Sequence, residues 1–179
     1  MAHVVLVTGG CRSGKSAYAL KRAEGIAGRR AFIATCPVLD EEMAGRVRRH
    51  KETRRRAAWD TIEEQVDLAG VIARTRDYDV LLVDCLTLWI NNVMFRDEQA
   101  GHETSEDDIA RRAQEILAAC AAFDGVVLFV TNEVGWGIVP DNALARRFRD
   151  LAGRCNQVMG AGANEVVLVV CGMPVTVKS

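Results

Sequence analysis

Gly9-Gly10-Cys11-Arg12-Ser13-Gly14-Lys15-Ser16 fits G-x-x-x-x-G-K-[ST] at every fixed position. The apolar run His3-Val4-Val5-Leu6-Val7-Thr8 precedes it, and the helix-compatible Ser16-Ala17-Tyr18-Ala19-Leu20-Lys21 follows. That strand-to-helix setting is the context the pattern needs. Glycines let the backbone curl so that successive N–H groups point inward at phosphate oxygens. The helix N-terminus adds partial positive charge, Lys15 reaches the outer phosphates, and the Ser16 hydroxyl is placed to ligate Mg²⁺. The stretch predicts a binding site for a nucleoside triphosphate.

Outward from this loop, four more apolar, β-branched runs read as strands: Ala31 to Thr35, Val80 to Val83, Val126 to Val130 and Glu165 to Val170. They are continuous rather than alternating, as in strands buried on both faces. Helical spacing fills the intervals at 15–28, 41–56 and 62–75, the last with Ile62, Val66, Ala69 and Ile72 on one stripe. Ser105-Glu106-Asp107-Asp108 is an N-terminal cap for a helix through about Ala122. Asp141 opens a further helix carrying Leu144, Phe148, Leu151, Cys155 and Val158, stopped near Gly160 and Gly162. Leu86 to Thr104 is the least regular region and reads as a loop or short helix. Strand alternating with helix predicts an α/β fold with a mostly parallel central sheet, organised as one catalytic domain over 1–179. Ligands of such sheets sit beyond the C-terminal strand ends. Here those ends carry Thr8, Thr35-Cys36, Asp84-Cys85, Thr131-Asn132-Glu133 and Cys171-Gly172.

The chain has 179 residues, 49% hydrophobic and 26% charged, enough for a full core. No apolar run approaches the roughly 20 residues of a membrane span, and the first apolar run feeds the phosphate loop rather than a signal peptide. A cytoplasmic location is expected. Six cysteines are scattered without a C-x-x-C pair, against a disulfide framework or zinc site. Cys36, Cys85 and Cys171, in or at the ends of predicted strands, are expected to act as small buried hydrophobes.

Leu81-Leu82-Val83-Asp84 is an apolar strand ending in a carboxylate, which with a phosphate loop upstream suits a magnesium-holding aspartate. The net charge of −1 hides an asymmetry: residues 46–56 hold seven Lys/Arg and one Glu, +6, leaving −7 on the rest. This segment permits three readings: a solvated helix face, a nucleic-acid footprint, or phosphate handling around His50. Arg46 and Arg54 lie one helical turn either side of His50. Cations favour its neutral, nucleophilic form and stabilise charge on a phosphate under attack.

These motifs together resemble a known family. They are Val7 to Ser16, Ile33-Ala34-Thr35, Asp40-Glu41-Glu42-Met43, Arg46-x-x-x-His50-Lys51-x-x-Arg54, Trp59 with Glu63, Thr131-Asn132-Glu133-Val134-Gly135-x-Gly137-Ile138-Val139-Pro140, and the run from Ala145-Arg146 to Asn156-Gln157. The chain resembles, from first strand to last, the bifunctional adenosylcobinamide kinase / adenosylcobinamide-phosphate guanylyltransferases of cobalamin biosynthesis. The resemblance implies a RecA-like P-loop fold, a homotrimer and a cytoplasmic enzyme. It implies phosphorylation of adenosylcobinamide from ATP or GTP, then transfer of GMP from GTP to that phosphate through a guanylylated histidine. His50 matches that histidine, with Lys15 the second catalytic residue. Gly9, Gly10, Cys11, Arg12, Ser13, Gly14, Lys15, Ser16, Ala34, Thr35, Cys36, Lys51, Glu52, Thr53, Arg54, Glu63 and Asp84 become nucleotide-binding residues, and Ser16 and Asp84 the Mg²⁺ ligands. Cys11 stands where relatives usually hold another small residue. Arg49 stands where some carry a second His, which leaves His50 alone. A monofunctional small-molecule kinase and a nucleic acid-binding ATPase are the alternatives; the favoured reading requires no nucleic acid and no membrane span.

Overall fold

The computed structural model describes residues 1–36 and 58–179. Among the described residues, seven strands form one sheet: β1 (His3–Thr8), β2 (Arg30–Ala34), β3 (Trp59–Glu63), β4 (Val80–Asp84), β5 (Val126–Val130), β6 (Glu165–Val170) and β7 (Met173–Lys178). Their order is β3-β2-β4-β5-β1-β6-β7, every pairing parallel except the last. The described helices are α1 (Lys15–Glu24), α2 (Leu68–Arg74), α3 (Leu86–Gln99), α4 (Glu106–Ala121) and α5 (Ala143–Gly162).

The continuous apolar runs of β1, β2, β4 and β5 are buried on both faces, as the sequence implies, whereas on β6 Leu168 is half-buried and Val170 exposed. On β1, Val4 and Leu6 point to one face and Val5 and Val7 to the other. The first face packs on α2, α3, α4 and α5 through residues such as Leu68, Trp89, Ile116 and Met159. The second packs on α1 through Ala19 and Ala23, with Trp59 and Phe32 meeting edge to face at 6.4 Å. Each fully buried Leu, Ile or Val contributes about 1.5–3 kcal/mol.

Ser105 and Asp108 form the expected reciprocal cap of α4. The Ser105 bonds hold the Asp108 carboxyl well below the usual carboxylate range. Other elements depart from expectation. The helix expected over 62–75 is strand β3 followed by a short α2, because Trp59, Thr61 and Ile62 add to the edge of β2 in parallel register. Asp67 then starts α2 by accepting the Gly70 N–H. Within the region read as a loop or short helix, Leu86 to Gln99 is a 14-residue helix. It lacks a side-chain cap, and buried Leu86, Trp89, Ile90 and Val93 hold it in place of propensity. Helix α1 stops at Glu24, before Gly25. Asn142, not Asp141, caps α5 through the Ala145 N–H, and Leu144 of its predicted stripe is exposed. Strand β7, antiparallel to β6, was not among the predicted runs, since Met173-Pro174-Val175-Thr176-Val177-Lys178 is solvent-exposed throughout.

The cysteine expectation is also corrected. Cys120 and Cys155, on helices, are the buried thiols, and burial pushes both up to about 12. Cys36 and Cys85 are half-buried and Cys171 is exposed. Helix 41–56 and its basic cluster lie outside the described residues. No described helix is long and apolar enough to cross a membrane.

Candidate nucleotide site

The phosphate loop joins β1 to α1 at the C-terminal edge of the sheet. Gly9 has φ +152°, and a Cβ there would lie 2.5 Å from the Val169 carbonyl oxygen and 2.7 Å from Ser13 Oγ, so only glycine fits. The Ser13 N–H donates to Gly10 O at 3.2 Å. Lys15 is almost fully buried and donates from Nζ to the same carbonyl at 3.0 Å, folded across the loop. Ser13 Oγ is buried with no hydrogen-bond partner among the described residues, an orphan that a phosphate oxygen would satisfy. The turn between β6 and β7 buttresses the loop: the Gly172 N–H donates to Ser13 O at 2.8 Å.

Register brings the other expected residues to the same edge. Ala34 is the Cα partner of both Glu63 and Asp84, so the three stand in a row at the ends of β3, β2 and β4. Val130 pairs with Asp84 on one side and Val7 on the other. One strand, β5, therefore separates the phosphate-loop strand from the strand ending in Asp84. Thr35 Oγ1 accepts the Cys85 N–H at 2.8 Å and donates to Cys85 O at 3.0 Å. Thr35 O accepts from Asn92 of α3 at 2.8 Å. Burial raises the Cys85 thiol above its ordinary value, against an opposing hydrogen bond to Thr87. Gly9 to Ser16, Ala34 to Cys36, Glu63 and Asp84 thus share one edge. His50, Lys51, Glu52, Thr53 and Arg54 lie outside the described residues.

Past β5, the triplet Thr131-Asn132-Glu133 that the sequence puts at the active edge forms a network whose partners only the fold reveals. Glu133 Oε1 accepts from Thr8 Oγ1 at 2.5 Å and from Asn156 Nδ2 at 3.2 Å, while the Glu133 N–H donates to Gly9 O at 3.2 Å. Asn156, on α5, also donates to Asn132 O at 3.1 Å and accepts from Thr131 Oγ1 at 2.7 Å. Asn132 Nδ2 donates to Thr87 Oγ1 at 2.7 Å. The signal for this network was the polar triplet Thr131-Asn132-Glu133 directly after an apolar strand. Of the three tryptophans, Trp59 and Trp89 are core residues, and Trp136 is exposed beyond this triplet.

A mostly parallel sheet, seven-stranded among the described residues, with a phosphate loop after the interior strand β1 and a carboxylate two strands away defines a RecA-like P-loop nucleotide-binding protein. A solved KaiC-like protein from the archaeon Pyrococcus horikoshii OT3 has this fold, at a TM-score of 0.55 and 13% identity over 93% of this chain and 70% of its own. Residues 5–177 match the family described as cobinamide kinase / cobinamide phosphate guanyltransferase, and the chain belongs to that family. It is 43% identical to the bifunctional adenosylcobalamin biosynthesis protein CobU of Salmonella typhimurium and 41% identical to that of Escherichia coli, in each case over 98% of this chain and 99% of the relative. It is 34% identical to CobP of Pseudomonas aeruginosa over 97% and 96%.

Proposed function

We propose that this chain phosphorylates the aminopropanol hydroxyl of adenosylcobinamide from ATP or GTP, and then transfers GMP from GTP to the new phosphate. Family membership over almost the whole chain, with an intact phosphate loop at the sheet edge, is the observation that carries this reading.

In the first reaction the inward N–H groups of Gly9 to Ser16 hold the triphosphate. Lys15 leaves the Gly10 carbonyl to meet the outer phosphates and offset charge that builds on them. In the second, a His50 ring nitrogen attacks the α-phosphorus of GTP. A P–N bond forms, the α–β P–O bond breaks, and its electron pair leaves with pyrophosphate. An oxygen of adenosylcobinamide phosphate then attacks the same phosphorus, and the P–N electron pair returns to the imidazole. Splitting the transfer lets GTP and the large corrinoid be aligned one at a time. Ala34, Thr35, Cys36, Lys51, Glu52, Thr53, Arg54 and Glu63 complete the nucleotide site in this reading.

Ser16, in the first turn of α1, and Asp84, at the end of β4, supply two oxygen donors. That donor set suits Mg²⁺, which takes one or two protein oxygens and fills its shell with phosphate and water. Bound there, it would neutralise phosphate charge. The assembly proposed is a cytoplasmic homotrimer of single-domain protomers.

The test is covalent labelling. Incubation with α-labelled GTP should leave acid-labile, base-stable label on the protein, and His50→Ala should remove it. An unlabelled wild type that still phosphorylates adenosylcobinamide would leave a kinase alone.

A further inference from the structure

We propose that Glu133 is the general base of the phosphoryl-transfer step, an assignment that rests on the kinase reading above. Strand spacing of about 4.8 Å ranks the carboxylates at the C-terminal edge. Glu63 ends β3, four strands from β1 and roughly 19 Å from the phosphate loop; Asp84 ends β4, two strands and roughly 10 Å away. Glu64 Oε1 accepts the N–H groups of Val66 and Asp67. Glu133 follows β5, immediately beside β1, and its own N–H is bonded to Gly9 of the loop. Among these carboxylates it stands nearest the phosphate loop, on the side where an acceptor hydroxyl would meet the outermost phosphate.

Its two oxygens are treated differently. Oε1 takes both side-chain bonds, from Thr8 and Asn156, and Asn156 is itself fixed by Thr131 and Asn132. Oε2 has no hydrogen-bond partner among the described residues. A cross-link between β1 and α5 needs one oxygen; the same pair of bonds also aims the other at a fixed point. A base must stand within hydrogen-bond reach of the proton it takes, and this arrangement preorganises the carboxylate without occupying it.

The step balances simply. A lone pair of the acceptor hydroxyl oxygen forms the bond to the γ-phosphorus, and the hydroxyl proton passes to Glu133 Oε2. The bond from γ-phosphorus to the β–γ bridging oxygen breaks, and its electron pair leaves on the nucleoside diphosphate. Protonated Glu133 then releases its proton to solvent.

Glu133→Gln is the discriminating variant, because its amide oxygen can still accept from Thr8 and Asn156. Phosphoryl transfer from ATP to adenosylcobinamide should lose about 10²–10⁴-fold in kcat, while KM for adenosylcobinamide and Kd for nucleotide move by less than about threefold. Thr8→Val, which removes one pin and keeps the carboxylate, should lose roughly ten- to a hundredfold in kcat. Retention of wild-type kcat in Glu133→Gln overturns the assignment. So does a loss confined to nucleotide affinity, which would make Glu133 a binding group. If Glu133→Gln melts well below wild type, Thr8→Val decides alone, and an unchanged kcat in it overturns the assignment. A wild type that makes no adenosylcobinamide phosphate at all fails at the kinase reading instead.

Discussion

The two ends of the parallel sheet are both polar, yet they are built to opposite purposes. At the N-terminal end most protein groups answer one another, the buried Trp59 Nε1 excepted. Arg22 grips Glu165 with two bonds of 2.5 Å. Arg30 caps the carbonyls of Ala23, Glu24 and Ile26. Asp79 accepts the Arg29 N–H, and Asn164 accepts the Val4 N–H. At the C-terminal end a buried Ser13 hydroxyl lacks a partner, and Lys15 rests on a backbone carbonyl. The first end closes the fold on itself, and the second keeps donors in reserve for a ligand. Substitutions at the N-terminal end should therefore change stability and spare turnover, and those at the C-terminal end the reverse.

The largest expected effect is at the open end. Lys15→Met should cut phosphoryl transfer by about 10²–10³-fold, while losing one modest hydrogen bond should lower Tm by under about 4 °C. A collapse of Tm with turnover retained would break the contrast. Next comes Gly125, which precedes β5 at the closed end. A Cβ there would sit 2.2 Å from the Asp79 carbonyl oxygen, a backbone atom that cannot swing away. Gly125→Ala should cost roughly 2–3 kcal/mol, about 4–12 °C in Tm, with kcat of the surviving protein unchanged; calorimetry beside a kinase assay reads both.

The smallest effect expected is at Glu165. The hydrogen bonds from Arg22 hold its carboxyl below the usual range, opposed by partial burial. A lowered folded-state pKa gives stability that is complete above the unfolded carboxylate value near 4.3 and is lost as pH falls through the lowered value. Glu165→Gln should thus cost about 1–2 kcal/mol at pH 7. Urea titrations should show that gap narrowing below about pH 4. A gap that widens on acidification would contradict the pairing.

How much of this was legible in the sequence depended on distance along the chain. The phosphate loop, the five strand runs and the α4 cap are local patterns, and each signal lies within a few residues. Strand β3 was misread, and helix α3 could not be told from a loop, because their partners decide them. Ile62 fits a helical stripe equally well until β2 offers it an edge, and Leu86 to Gln99 lacks a start signal of its own. The candidate site divides the same way. Ala34, Glu63 and Asp84 were individually nameable, but their alignment in one row comes from strand register. The bond from Asn156 to Glu133 spans 23 residues, and no periodicity announces it.

The contact between Gly172 and Ser13 bears on the order in which the molecule is made. A ribosome lays down the phosphate loop early and the hairpin turn that braces it much later. A nascent chain halted before residue 172 should carry the complete octapeptide and still grip nucleotide poorly. Affinity for triphosphate then reports that synthesis has passed the β6–β7 turn and that the turn has docked.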